Sequence, residues 1–184
     1  LATAKGQHHI YYKNTGVNHW ITATSFAPKT FRGDLPSEST RQTIFAVDAK
    51  TAQDFALCCI NSNLFFWFYT VRTNCRDLNP SDITTFPIPP NIENDTEFAR
   101  LANNLMASLD ENSEYITREQ KLTGAIRIQS FYPGFSKSTI DEIDKVLARH
   151  YGFTNEELDF IINYDIKYRM GKDAENDNAE ADDA

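Results

Sequence analysis

Hydrophobic and polar positions change rhythm several times along this chain, and each change predicts an element. Ile10, Tyr11 and Tyr12 stand before a short Asn/Thr/Gly connection, and Trp20, Ile21 and Thr22 stand after it. β-Branched and aromatic residues on both sides of a turn predict a hairpin with its loop at residues 14–18. The stretch "FAPKTFRGDLPSEST" then sets Pro28, Gly33 and Pro36 among polar residues, predicting an irregular loop that exposes Lys29 and Arg32. In "RQTIFAVDA", Thr43, Phe45 and Val47 alternate along one side of a short strand. From Thr51 the period becomes helical. Phe55, Cys58, Cys59, Ser62, Phe65, Phe66 and Tyr69 form one stripe, and Leu57, Ile60, Leu64, Phe68 and Val71 form a second. A helix that is apolar nearly all round must be buried on most sides, so it is expected to be a core helix with a small sheet packed against it.

Prolines punctuate the middle of the chain. Pro80 comes early and Pro87, Pro89 and Pro90 late, so residues 83–88 read as extended and the prolines close a first module, with a junction near residues 91–95. Phe98, Leu101, Ala102, Leu105, Met106 and Leu109 recur at helical intervals, in a helix left open to continue through Ile116 to Leu122. Residues 124–136, with Pro133 and Gly134, read as a connector. Ser138 with Asp141, and Thr154 with Glu157, match capping boxes for two further helices, the first striped by Ile140, Ile143 and Leu147 and ended by Gly152. From Lys172 onward no aromatic or large aliphatic residue occurs, which predicts disorder. The expected fold is α+β: a small mixed sheet on a buried aromatic-rich helix in residues 1–92, a helical module in 93–171, and an acidic tail in 172–184.

Composition bounds what such a chain does. With 184 residues and 41% apolar content it can bury a core for one domain or two small ones. The longest apolar run, Leu64 to Tyr69, is far short of the ~20 residues that span a bilayer, so no membrane role is expected. No basic, apolar and cleavage-site succession opens the chain, and a cytoplasmic location is expected. The chain begins with Leu1, and its only methionines are Met106 and Met170, so it is expected to come from a longer polypeptide. Three cysteines, Cys58, Cys59 and Cys75, lack a metal-ligand spacing and read as reduced structural thiols. The formal charge of -8 conceals a gradient. Residues 1–92 carry eight bases and six acids, whereas the remainder carries ten bases and twenty acids. The first half is therefore the expected side for a polyanion.

Familiar catalytic patterns are missing from the sequence. The seven glycines never form a G-x-G or P-loop spacing, which disfavours a nucleotide cofactor. His8 and His9 have no complementary ligand at a metal-binding interval and read as strand-end residues. Cys75 with His150 would make an isolated dyad without motif context, so a structural cysteine is preferred to a hydrolase nucleophile. Asp141, Glu142 and Asp144 suit the first turns of a helix through its dipole. Asn79-Pro80-Ser81-Asp82 is similar to the Asn-Pro-Pro-aromatic signature with which amino-methyltransferases hold a flipped adenine, but Ser81 and Asp82 replace the second proline and the stacking ring. A turn before a short strand is the plainer reading.

The segment "INSNLFFWFYTVRTNCRDLNPSDITTFPIP" resembles the target-recognition domains of type IIG restriction-modification enzymes and TaqI-type adenine methyltransferases. There an Asn-Ser-x-Leu-Phe-x-[Trp/Phe]-Tyr helix precedes Arg-Asp-Leu-Asn and Phe-Pro-Ile-Pro. "SKSTIDEIDKVLARHYGFTNEELDFIINYDIKYRMG" is similar to the C-terminal end of the same polypeptides, and together the two stretches cover roughly half of the chain. The resemblance implies a fragment that recognises double-stranded DNA and lies C-terminal to a methyltransferase domain of the same polypeptide. That domain would hold S-adenosylmethionine and the catalytic tetrapeptide; this fragment is expected to have no cofactor and no catalytic site.

Recognition of this kind needs basic side chains for phosphates and polar ones for base edges, held on rigid loops. The candidates are Lys13 and Asn14 on the hairpin, Lys29 and Arg32 on the irregular loop, Arg41, and Arg72, Asn74 and Arg76 beyond the aromatic helix. Each alone is as well explained as a solvated surface residue, and Arg76 has Asp77 or Asp82 as alternative salt-bridge partners. The acidic helices after Asp95 are expected to dock the module onto the catalytic part or to close its own core. A protein-interaction module, with the first half as its support, is the competing reading.

Overall fold

The computed structural model describes residues 6–15, 19–37, 39, 42–120 and 124–170. Its strands are β1 (His8–Lys13), β2 (Ala23–Thr24), β3 (Thr30–Arg32), β4 (Leu35–Ser37), β5 (Gln42–Val47), β6 (Glu114–Gln120) and β7 (Gly124–Ser130). Its helices are α1 (Lys50–Asn61), α2 (Asn63–Arg72), α3 (Pro80–Thr84), α4 (Glu97–Glu111), α5 (Lys137–Tyr151), α6 (Asn155–Ile162) and α7 (Ile166–Arg169). The fold is α+β as expected, but the sheet is not a single mixed one. Two antiparallel sheets form instead, one in the order β2-β1-β5 and one in the order β4-β3-β7-β6.

Alternation along β1 sends Ile10 and Tyr12 into the core, opposite Phe45 and Thr43 of β5. β2 pairs its Thr24 and Ala23 with Tyr11 and Tyr12, so the expected hairpin forms, although its return strand lies beyond Trp20–Thr22. Residues 16–18 of its loop lie outside the described residues. Gly6 packs directly on the strand beside it, where an added Cβ would come within 2.7 Å of the Val47 backbone.

The apolar run after Thr51 becomes two helices rather than one. Ser62, with φ −73° and ψ 156°, is extended; it ends α1 and caps α2, its Oγ accepting from the Phe65 N–H at 3.0 Å. Leu57, Cys58 and Ile60 of α1 and Leu64, Phe65, Phe66 and Tyr69 of α2 are buried, each large side chain contributing about 1.5–3 kcal/mol of transfer free energy. α4 lies against α1, with Phe55 and Phe98 edge to face at 5.3 Å. α5 and α6 pack against α2.

Other expectations are corrected by tertiary pairing. The irregular loop at residues 26–40 contains the β3–β4 hairpin, turned by Gly33 at φ +60°, a value glycine adopts without penalty. The helix left open to continue through Ile116 to Leu122 stops at Glu111, and β6 comes after it. The connector expected from residue 124 is β7 followed by a 3-10 turn at Pro133–Ser136. Residues 83–88 are not extended throughout, because α3 runs to Thr84. Ser138 lies inside α5, which starts at Lys137, whereas Thr154 and Glu157 do form the expected capping box on α6. Gly152, at φ +72°, ends α5 as expected.

The β3–β7 ladder and the α1–α4 contact both cross the junction expected at residues 91–95. Residues from both sides of it share one apolar cluster, including Ile10, Phe65, Phe98, Leu105 and Leu147. The tail expected at 172–184 lies outside the described residues. Among the described residues, no helix is long and apolar enough to cross a membrane.

Candidate nucleic-acid interface

α2 ends in solvent at Arg72, where the helix dipole favours a cation, and its guanidinium lies 5.0 Å from the centre of the Phe68 ring. The chain then turns sharply. Asn74 Oδ1 accepts from the Arg76 N–H at 3.0 Å, and Cys75 between them takes a left-handed φ of 59°, uncommon for a side chain of its size. The Arg76 side chain is 84% exposed and approaches Asp77 only at 4.0 Å, an exposed contact of small energetic value. Leu78, fully buried, anchors the far end of this turn.

The β1–β2 connection is fastened to the same turn. The Leu78 N–H donates to the Asn14 carbonyl at 2.8 Å, and Thr15 and Asp77 form an isolated antiparallel bridge. Lys13, Asn14, Arg72, Asn74 and Arg76 are thus carried on two joined segments beside the aromatic scaffold. Asn14 contributes through its backbone, because its Oδ1 is buried. Asn79 comes at the start of α3, where its N–H donates to the Asp82 carboxylate at 2.7 Å and Pro80 occupies the first helical turn. Helix capping accounts for the Asn-Pro-Ser-Asp tetrapeptide, in place of the expected turn before a strand.

Lys29 and Arg32 belong to the other sheet. Lys29 exchanges bonds with Gln129, its N–H donating to Oε1 at 3.1 Å and its carbonyl accepting from the Gln129 N–H at 2.8 Å. Arg32 ends β3, exposed, opposite Leu35 and Ile126. Arg41 lies outside the described residues. The candidates therefore divide between the α2 end and the four-stranded sheet, where β7 adds the exposed Arg127. Sequence reading missed that residue, although "GAIRIQS" carries the alternation of a strand.

A buried polar cluster fixes α2 from behind. The backbone N–H groups of Asn63 and Leu64 donate to the Asp144 carboxylate at 3.1 and 3.0 Å, and Asn63 Nδ2 adds a bond of 2.6 Å. Arg169 reaches in from α7, its Nη1 donating to Asn63 Oδ1 at 2.6 Å and its Nε to the His19 carbonyl at 2.9 Å. Its guanidinium lies 3.9 Å from the Trp20 ring centre and 4.3 Å from that of Phe66. Burial pushes the Asp144 carboxyl up to about 7, outweighing the bonds from Leu64 and Asn63 that pull it down. Burial also lowers Arg169 to about 10, with Asp144 the leading opposing influence. Asp144, expected to serve the dipole of its own helix, instead caps α2.

The remaining chemical candidates are occupied locally. His150 Nε2 lies 2.8 Å from Asp95, whose carboxyl is held below the usual range first by the Glu97 N–H and then by His150. The Cys75 thiol donates to the Thr70 carbonyl at 3.7 Å, on a different element from His150. Cys58 and Cys59 are buried free thiols, both pushed up chiefly by burial. Tyr164 closes the core, accepting from Thr70 Oγ1 at 3.1 Å and packing on Phe66, while Tyr168 stays exposed. No family model matches this chain, nor does any curated protein or solved structure.

Proposed function

We propose that this chain is the DNA sequence-recognition portion of an adenine-specific DNA methyltransferase or combined restriction-modification enzyme, working in the cytoplasm without a catalytic site of its own. The observation that carries this is the turn after α2. Exposed Arg72, Asn74 and Arg76 are held between an apolar scaffold and the β1–β2 connection, the combination of rigid support and polar reach that base and phosphate contacts require. S-adenosylmethionine and the transferring chemistry belong to the methyltransferase domain of the parent polypeptide. Arginine pairs bidentately with guanine and asparagine with adenine, each worth about 1–3 kcal/mol of discrimination.

Replacing Lys29, Arg32, Arg72 and Arg76 together by Ala tests the assignment, with retention of labelled duplex DNA as the readout and thermal unfolding as the control. Loss of retention by a folded variant is expected; unchanged retention removes the assigned face. A second reading has its own support, because Phe135, Phe160, Tyr168 and Met170 are each more than half exposed near the C-terminal end of the described fold. Exposed apolar side chains of this kind suit docking to the methyltransferase domain. If the chain binds that domain but no duplex at low salt, the docking module is the correct account.

A further inference from the structure

We propose that Arg127, held by Phe31 and Tyr115 on the four-stranded sheet, is a contact residue for duplex DNA, and that the two rings are its positioning residues. This rests on the DNA-recognition reading and assigns it a residue from the half of the chain that composition set aside as acidic.

Register brings the three side chains together. Phe31 of β3 stands opposite Arg127 of β7, which stands opposite Thr117 of β6; Tyr115, two residues before Thr117, shares its face. The Arg127 guanidinium lies 4.7 Å from the Phe31 ring centre and 5.3 Å from that of Tyr115, and the rings themselves are 6.0 Å apart. By the same alternation Lys29 falls on this face, two residues before Phe31. The sheet that carries them joins two hairpins from distant parts of the chain, and none of the three enters the main apolar cluster.

Arg169 shows what a structural arginine in this fold looks like. It too lies over two rings, but it is buried and its nitrogens meet the His19 carbonyl, Asn63 Oδ1 and the Tyr164 carbonyl. Arg127 has the rings but, among the described residues, neither such acceptors nor an ion pair, and it is exposed with its planar fork of donors facing outward from the rings' support. Ring contacts restrict the side chain before any partner arrives, which lowers the ordering cost of a bidentate bond. What completes the arrangement is a planar or tetrahedral set of acceptors, such as a guanine edge or a phosphate. Lys29 on the same face favours a polyanion over a neutral surface.

The test measures binding of a fluorescein-labelled duplex to the full chain by anisotropy across a salt series. Arg127→Ala is expected to weaken binding roughly tenfold and, where the guanidinium neutralises a phosphate, to lower the salt slope by about one; where it pairs with a guanine edge, the loss of affinity comes with relaxed preference at that base. Arg127→Lys keeps the charge and the slope but restores only part of the affinity. Tyr115→Ala and Phe31→Leu, which retain every charge, weaken binding severalfold with the slope unchanged. Unaltered binding by Arg127→Ala, while Arg72→Ala and Arg76→Ala still weaken it, overturns this inference and leaves the DNA reading standing. Wild-type chain that binds no duplex overturns both. Full affinity in Arg127→Lys and Tyr115→Ala overturns the role of the rings.

Discussion

Asp144 offers the sharpest test of how the scaffold is held. Replacing it by Ala leaves the Asn63 and Leu64 N–H groups without their acceptor and takes one of two acceptors from Asn63 Nδ2, which keeps Asp141 Oδ1 at 3.1 Å, in a site where Asn63 is fully buried. Each orphaned donor costs about 1–3 kcal/mol, partly offset because a desolvated carboxylate is also removed, so a loss of about 3–5 kcal/mol is expected. That is a large share of the total stability of an ordinary domain. Asp144→Asn keeps the shape and one acceptor, and should cost about 1–3 kcal/mol. The pH dependence separates the two effects. Because the folded carboxyl sits at about 7, above its ordinary 3.8, the folded state holds this proton more tightly than the unfolded chain. The associated stability is complete below the ordinary value and is lost as pH rises through about 7. At about 1.36 kcal/mol per unit the loss amounts to a few kcal/mol. Urea unfolding followed by circular dichroism between these limits measures it. Wild-type stability minus that of Asp144→Asn should fall as pH rises; a difference independent of pH, or an Asp144→Ala cost below about 1 kcal/mol, refutes the account of this cluster.

Three further outcomes are expected of the same fold. Ser62→Ala should lower stability by about 1 kcal/mol through loss of the α2 cap, read as a shift of the urea midpoint, whereas an unbroken helix would tolerate the change. A thiol reagent should modify Cys75 in the native protein and reach Cys58 and Cys59 only on unfolding, because the latter two are buried and held in the thiol form. Asp95 is held below its ordinary range, so its contribution is present above that range and lost as pH falls through the folded value. Asp95→Asn should therefore flatten the acid limb of the stability curve, and an unchanged limb would remove that contribution.

Elements that bury one face against near neighbours were legible in the sequence. The stripe from Phe98 to Leu109 is α4, and Thr154 with Glu157 caps α6 as its spacing indicates. The break at Ser62 was hidden because the apolar period runs straight through it; what opens the helix is a carboxylate from Asp144, far along the chain. β6 escaped notice because Glu114, Arg118, Glu119 and Gln120 are good helix formers, and only pairing with β7 makes a strand of them. β7 did carry its alternation, Ile126 and Ile128 against Arg127 and Gln129, but its partner β3 lay in a stretch rich in proline and glycine. At the candidate site the sequence located Arg72, Asn74 and Arg76 beside the aromatic helix. It could not foresee the tie from Leu78 to Asn14, since that bond is between backbone groups and has no side-chain signature.

Salt dependence of duplex binding by the intact chain tests the central claim most directly. If the cationic turn after α2 and the four-stranded sheet lie along DNA, the logarithm of the binding constant falls linearly with the logarithm of salt concentration, at about 0.9 per phosphate neutralised. Several phosphates' worth of slope is the expected result. No binding at the lowest salt, or binding indifferent to salt, contradicts it.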